Sequence, residues 1–183
     1  MDLEHVSDDF TRVLYTEADI ERRLQELGAQ IDQDYDGKEL LLIGVLNGAV
    51  MVMADLSRAM NSHCHMDWMA ISSYGSGTKS SGVVRILKDL NTDISERHVL
   101  VVEDIIDTGL TLSYLLSNLA SRGPASLEIM TMFRKPEALE NRVDVRYVGF
   151  DIPNEFVVGY GLDFGGRYRN LKGVATLAPH VYS

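Results

Sequence analysis

The sequence predicts an α/β fold, a parallel sheet with helices on both faces, and two observations carry that reading. A strand, tight turn and helix follow one another at residues 39–60 and again at residues 99–120. Within the second unit, Val99-Leu100-Val101-Val102 is apolar at every position. A strand covered by helices on both faces must read this way, whereas one with a wet face would alternate. Strands that alternate with helices give parallel neighbours joined by right-handed crossovers.

The elements follow in order. Thr16 can cap a first helical turn, and Ile20, Leu24, Leu27 and Ile31 recur behind it at helical spacing. Residues 39–45 form a short apolar strand, Leu46-Asn47-Gly48 a tight loop, and an apolar helical segment runs to Met60. Ser-Ser-Tyr-Gly-Ser-Gly-Thr-Lys-Ser-Ser-Gly, from Ser72 to Gly82, offers nothing to a core and reads as a mobile loop. After the strand at residues 99–102 come Glu103 and Asp104, then the turn at residues 107–111. Leu112, Leu115, Leu116 and Leu119 mark the next helix, which Gly123-Pro124 stops. Apolar runs at residues 127–133, 147–150 and 174–177 complete the set of strands.

At 183 residues the chain is large enough for one domain with a real core. A formal net charge of −10 opposes broad attraction to nucleic acid, although a local pocket or metal ion can still favour a phosphate. Residues 1–10 are acidic and lack the basic-then-apolar pattern of a secretory leader. The longest apolar stretch, residues 40–54, contains Asn47 and two glycines and falls short of the roughly 18 uninterrupted residues a spanning helix needs. Cys64 is the one cysteine, so no internal disulfide can form. The expectation is a soluble cytoplasmic protein with neither nucleic-acid nor membrane partners.

In an open parallel sheet, ligands bind at the carboxyl ends of the strands. Glu103 and Asp104 directly follow a buried strand there, and Asp107-Thr108-Gly109-Leu110-Thr111 turns into the next helix. Such a turn offers successive amides and a positive helix end to a phosphate. Thr108 and Thr111 add hydroxyls, and Gly109 permits close approach. Carboxylates do not hold phosphate, but they accept hydrogen bonds from vicinal sugar hydroxyls, directly or through a metal's water shell. Acids beside a phosphate cradle suggest a sugar phosphate. His63-Cys64-His65 could present two imidazoles on one face of a strand, but no second ligand pair lies at a familiar spacing, and metal binding there is discounted.

The segment from Val101 to Thr111 resembles the phosphoribosyl pyrophosphate motif of the type I phosphoribosyltransferases, close to the form that acts on hypoxanthine and guanine. The resemblance extends over about residues 40–177. It implies a core of about residues 36–150, with a small hood subdomain made from the N-terminal segment and about residues 151–183. It implies that Asp107 to Thr111 hold the 5-phosphate, that Glu103 and Asp104 orient the ribose, and that Asp107 takes a proton from N7 of the base. Leu46, Asn47 and Gly48 match the family's pyrophosphate loop; many members carry a basic residue where this chain has Asn47, which leaves the backbone role intact. Ser73 and Tyr74 open a segment similar to the family's lid. Lys135 matches the lysine that donates to O6 of a 6-oxopurine, and a fixed ammonium, being a donor only, disfavours adenine. Phe156 matches the aromatic that stacks on the purine, Val157 the backbone that reads the base edge, and Arg169 an arginine on pyrophosphate. Asp163, with Glu103 and Asp104, is implied in holding Mg²⁺. Taken singly, Phe156 reads better as a core aromatic, Arg169 as a surface ion-pair partner and Lys135 as a solvated lysine; it is the ordered series that favours the other roles.

The activity implied is purine salvage, joining hypoxanthine and guanine to phosphoribosyl pyrophosphate, in an enzyme that assembles as a homodimer or homotetramer. Another base such as xanthine stays open, while the matches at Lys135, Phe156 and Val157 argue against orotate. A non-catalytic sensor of phosphoribosyl pyrophosphate that binds nucleic acid would need a basic face, which this acidic chain does not predict.

Overall fold

A computed structural model describes residues 1–73, 84–141 and 143–182. Its centre is a six-stranded sheet in the order β4-β3-β2-β5-β6-β7. The strands are β2 (Leu40–Leu46), β3 (Cys64–Ser73), β4 (Val84–Lys88), β5 (His98–Ile106), β6 (Ser126–Arg134) and β7 (Tyr147–Asp151). All neighbours are parallel except β4, which runs antiparallel along the β3 edge. A smaller antiparallel sheet, β1-β9-β8, joins β1 (Phe10–Tyr15) to β8 (Val157–Val158) and β9 (Val174–Leu177). A short terminal helix, α4 (Pro179–Tyr182), follows β9.

The all-apolar strands bury both faces, as their composition requires. Leu41, Ile43, Val99, Val101 and Ile129 meet Leu112, Leu115 and Leu119 of α3 (Leu110–Ala120). Leu40, Leu42, Leu100, Val102 and Met130 face the other way, toward α1 (Glu17–Asp34) and α2 (Val50–Ala59). Each such side chain contributes about 1.5–3 kcal/mol on burial. Helix α1 starts with a reciprocal capping box between Thr16 and Asp19. Arg23 then ties α1 to the sheet edge by donating to the carbonyls of Val148 and Gly149, at 2.8 and 2.9 Å.

Several sequence expectations change. Strand β5 continues past Val102 to Ile106, because β6 keeps pairing with it through Glu103↔Thr131 and Ile106↔Arg134. Glu103 and Asp104 therefore lie within a strand, not after it. The loop expected from Ser72 does not include Ser72 or Ser73, which end β3 opposite Arg85 and Val84 of β4. The rest of that expectation, with Tyr74, falls on residues outside those described. The run at residues 174–177 is a strand, β9, of the small antiparallel sheet. On the N-terminal side, the small sheet takes only residues up to Tyr15, while α1 packs on the large sheet against α2 and β7. Among the described residues, no helix is long and apolar enough to cross a membrane.

One buried acid holds the β4–β5 connection. Asp67, on β3 and 3% exposed, accepts from the backbone N–H groups of Trp68, Asn91 and Thr92 at 2.8, 2.8 and 2.9 Å. Burial alone would raise its pKa, but these bonds outweigh burial and hold the carboxyl below the ordinary aspartate range. Asp67→Ala leaves the three donors without their acceptor and is expected to destabilise the fold by roughly 2–4 kcal/mol. Because the folded pKa is depressed, the carboxylate's stabilisation is present above the unfolded pKa and fades as pH falls below it. The gap between wild type and variant, read by calorimetry, should thus be largest near neutrality and shrink below about pH 4.

Candidate functional site

The carboxyl ends of β2, β5 and β6 converge beneath the small sheet, and two cavities open there. One, of about 270 Å³, is lined by Asp104, Ile105, Asp107, Lys135, Phe156, Val157, Leu162, Asp163 and Arg169. The other, of about 230 Å³, is lined by Val45, Ile71, Glu103, Ile105, Ile106, Asp107, Thr108, Gly109, Thr111 and Leu112. Ile105 and Asp107 line both, so the cavities meet at the end of β5.

Strand geometry divides the acidic pair. Successive side chains on β5 point to opposite faces, so Glu103 enters the smaller cavity and Asp104 the larger. Glu103 is buried, and desolvation followed by the charge of Asp104 pushes its carboxyl well above the usual range. Desolvation likewise raises Asp104, to about 6, against the opposing pull of the Ile105 N–H and the more distant Arg169. Both acids gain from a ligand that brings hydroxyl donors or a cation.

The turn after β5 has the form a phosphate needs. Helix α3 begins at Leu110 behind Gly109, which adopts φ 79° and, as the N-cap residue, has no side chain to cap it. The Thr108 carbonyl accepts from the N–H groups of Glu140 and Asn141, both at 3.1 Å, which fixes the loop from behind. Leu110 lines neither cavity; its N–H donates a long 3.5 Å bond to Thr108 Oγ1.

On the larger cavity's floor, Lys135 is only 7% exposed, and its Nζ donates to Asp107 Oδ2 at 3.1 Å. The backbone N–H of Lys135 donates to the Ile106 carbonyl at 3.0 Å, so both ends of the residue are tied to the end of β5. Across the cavity, Arg169 pairs with Asp163 at 2.5 Å and donates to the Gly161 carbonyl at 2.6 Å. Asp163 also accepts from the Gly166 N–H at 2.8 Å. Phe156 is 42% exposed for an aromatic that could have been buried. Tyr182 stacks on it with ring centroids 5.3 Å apart, and Phe164 meets it edge-on at 5.7 Å. Val157 lies beside it, paired with Thr176.

The 46–48 loop forms a wall rather than a lining. Leu46 and Asn47 line neither cavity, and the peptide bond between them is cis. Gly48 packs so tightly that a Cβ there would fall 1.6 Å from Asp104 Oδ2, so glycine is required by close approach. Ser73 is the last residue of β3. Sequence reasoning missed Ile105 and Leu162, the Gly161 carbonyl that holds Arg169, and Tyr182 behind Phe156; none carries a local signal.

Among the described residues, no three His, Cys, Asp or Glu side chains converge as a metal cage, at His63–His65 or elsewhere. Asp163, Glu103 and Asp104 are thus not a preformed set of three ligands. Mg²⁺ does not ask for one: it commonly takes one or two carboxylates, keeps its waters and binds substrate phosphates. The exposed edge of Asp163, beside an arginine that attracts phosphate, fits that mode.

A family profile for the phosphoribosyl transferase domain matches residues 13–165. The chain is 55% identical over 180 residues to a hypoxanthine-guanine phosphoribosyltransferase of Mycobacterium bovis, covering 95% of this chain and 89% of the relative. It is 47% identical over 175 residues to the enzyme of that name from Staphylococcus aureus, covering 96% and 98%. In structure it is similar to a hypoxanthine phosphoribosyltransferase from Staphylococcus aureus, with a TM-score of 0.95, 46% identity, and coverage of 98% and 97%. It also matches one from Trypanosoma cruzi described as a ternary substrates complex, with a TM-score of 0.91, 41% identity, and coverage of 96% and 100%.

Proposed function

This chain belongs to the phosphoribosyl transferase domain family, and from that premise we propose that it is a purine-salvage enzyme. It joins hypoxanthine or guanine to phosphoribosyl pyrophosphate and releases IMP or GMP with pyrophosphate. The observation that best supports this reading is the pair of cavities meeting at Asp107, one with a phosphate-binding turn and the other with a donor-only lysine and an exposed aromatic.

The 5-phosphate binds the turn at residues 107–111, using the uncapped amides of α3 and the Thr108 and Thr111 hydroxyls. Glu103 and Asp104 approach the ribose from the two faces of β5 and accept from its hydroxyls. The purine stacks on Phe156, meets the backbone at Val157 and receives a hydrogen bond at O6 from Lys135. N9 attacks the anomeric carbon as the bond to pyrophosphate breaks and the leaving group takes the electron pair. The proton on N7 passes to the Asp107 carboxylate. Arg169 and the amides of the 46–48 loop gather the departing charge, which is electrostatic work done by fixed groups. Asp163, with Asp104 in the same cavity and Glu103 on the other face of β5, would hold Mg²⁺, which when bound neutralises pyrophosphate oxygens. Ser73 and Tyr74 begin the segment we assign to a lid, which excludes water from a cationic transition state. We place the enzyme in the cytoplasm as a homodimer or homotetramer acting on small molecules, with the small sheet as its hood.

Initial rates with hypoxanthine, guanine, xanthine and adenine test the reading. Hypoxanthine and guanine should turn over, adenine should lag by at least about a hundredfold in kcat/KM, and EDTA should stop the reaction until Mg²⁺ is restored. Equal use of adenine would overturn the role given to Lys135, and no turnover with any purine would overturn the function.

A further inference from the structure

One contact outside the cavities ties their two walls together. The chain reverses at residues 159–162, where Gly159 and Leu162 exchange backbone hydrogen bonds at 3.0 and 3.1 Å. Tyr160 sits in this turn at φ 50°, a conformation uncommon for a residue with a bulky side chain unless neighbours hold it there. Its ring is buried, 5% exposed, and its hydroxyl donates to Asp55 Oδ2 at 2.8 Å, with the Met51 carbonyl oxygen 3.5 Å away. Both partners belong to α2, which starts at Val50, two residues after Gly48. Burial, followed by the bond to Asp55, pushes the phenol pKa up, so Tyr160 stays a donor throughout the working range.

The neighbouring residue touches the other wall. A Cβ on Gly161 would stand 2.1 Å from the Gly48 carbonyl oxygen. The Gly161 carbonyl accepts from Arg169 at 2.6 Å, and its N–H donates to the Arg169 carbonyl at 3.0 Å. One dipeptide therefore contacts α2, the 46–48 loop and Arg169.

We infer that Tyr160 and Asp55 are a positioning pair that sets the distance between the 46–48 loop and the Asp163–Arg169 pair, and hence the grip on the pyrophosphate end of the donor. Neither residue touches substrate. This rests on the function proposed above. Losing the bond lets α2 and the turn separate, which opens the pyrophosphate side of the site while leaving Lys135 and Phe156 where they are.

The test is steady-state kinetics on wild type, Tyr160→Phe, Asp55→Ala, Asp55→Asn and the Tyr160→Phe/Asp55→Ala double variant, each with its melting temperature. Tyr160→Phe and Asp55→Ala should each raise KM for phosphoribosyl pyrophosphate about fivefold to tenfold, with KM for hypoxanthine held within about twofold. The double variant should be no worse than either single, and Asp55→Asn, which keeps an acceptor, should stay near wild type. Additive effects, equal rises in both KM values, or an unchanged KM for the donor would overturn the pairing. If Tyr160→Phe does not fold, the contrast between Asp55→Ala and Asp55→Asn decides the matter alone. A wild type that makes no nucleotide overturns the function; an active wild type with an indifferent Tyr160→Phe overturns only the pair.

Discussion

Asp107→Asn lowers kcat for nucleotide synthesis by about 10²–10³-fold, with binding of phosphoribosyl pyrophosphate little changed. Asparagine has the shape of aspartate and keeps an oxygen for Lys135 Nζ, which now stands 3.1 Å from Asp107 Oδ2. The α3 amides and the Thr108 carbonyl contacts do not involve the carboxylate, so the phosphate turn survives. What disappears is the charge that accepts the N7 proton. Single-turnover rates measure the chemical step, and titration with the donor measures binding; a wild-type single-turnover rate in the Asn variant would remove Asp107 from proton transfer. Asp107→Ala separates two contributions, because it also strands a lysine that is 7% exposed. It should therefore add a rise in KM for the base that the Asn variant lacks.

The frame of the large sheet was legible because β2 is apolar throughout and β5 carries an unbroken apolar run from Val99 to Val102, a pattern that burial on both faces explains. Four strands, β1, β3, β4 and β8, carry no such pattern and exist through the strands that pair with them. β3 holds His65, Asp67, Trp68 and two serines, and it is a strand because β2 pairs with it residue for residue from Leu40 to Leu46. β1 alternates poorly and exists through β9, while β8 is two residues long. The acidic end of β5 reads as a turn by composition, yet β6 continues the ladder through it.

The site was legible where chemistry is local, as in the phosphate turn at residues 107–111. It was not legible where groups meet across the fold. Lys135 and Asp107 are 28 residues apart, and nothing near either announces the other. Tyr182 stacks on Phe156 from the far end of the chain. Gly48 and Gly161 look like ordinary turn glycines until a Cβ is imagined on either one. Strand periodicity also places Glu103 and Asp104 in different cavities, a separation their adjacency in sequence hides.

Lys135→Gln should lower kcat/KM for hypoxanthine by about 10²-fold and compress the hypoxanthine-to-adenine ratio by a similar factor. The ammonium carries three donors and no acceptor. One donor reaches Asp107 at 3.1 Å, which orients Nζ and leaves the others for the O6 of an oxopurine. The 6-amino group of adenine points donors at that ammonium, and a buried donor facing a donor costs more than a missing bond. Glutamine offers both an acceptor and a donor, so it admits adenine while serving O6 less well. The fold should tolerate the change, because Asp107, with a side chain 51% exposed, finds water once its partner is gone. Comparing the two variants distinguishes the roles of the pair. Asp107→Asn should depress turnover of every base alike and leave the ratio intact, whereas Lys135→Gln should move the ratio. If the two produced the same profile, the ion pair would be acting as one structural unit, and neither proton transfer nor base selection could be assigned to either member.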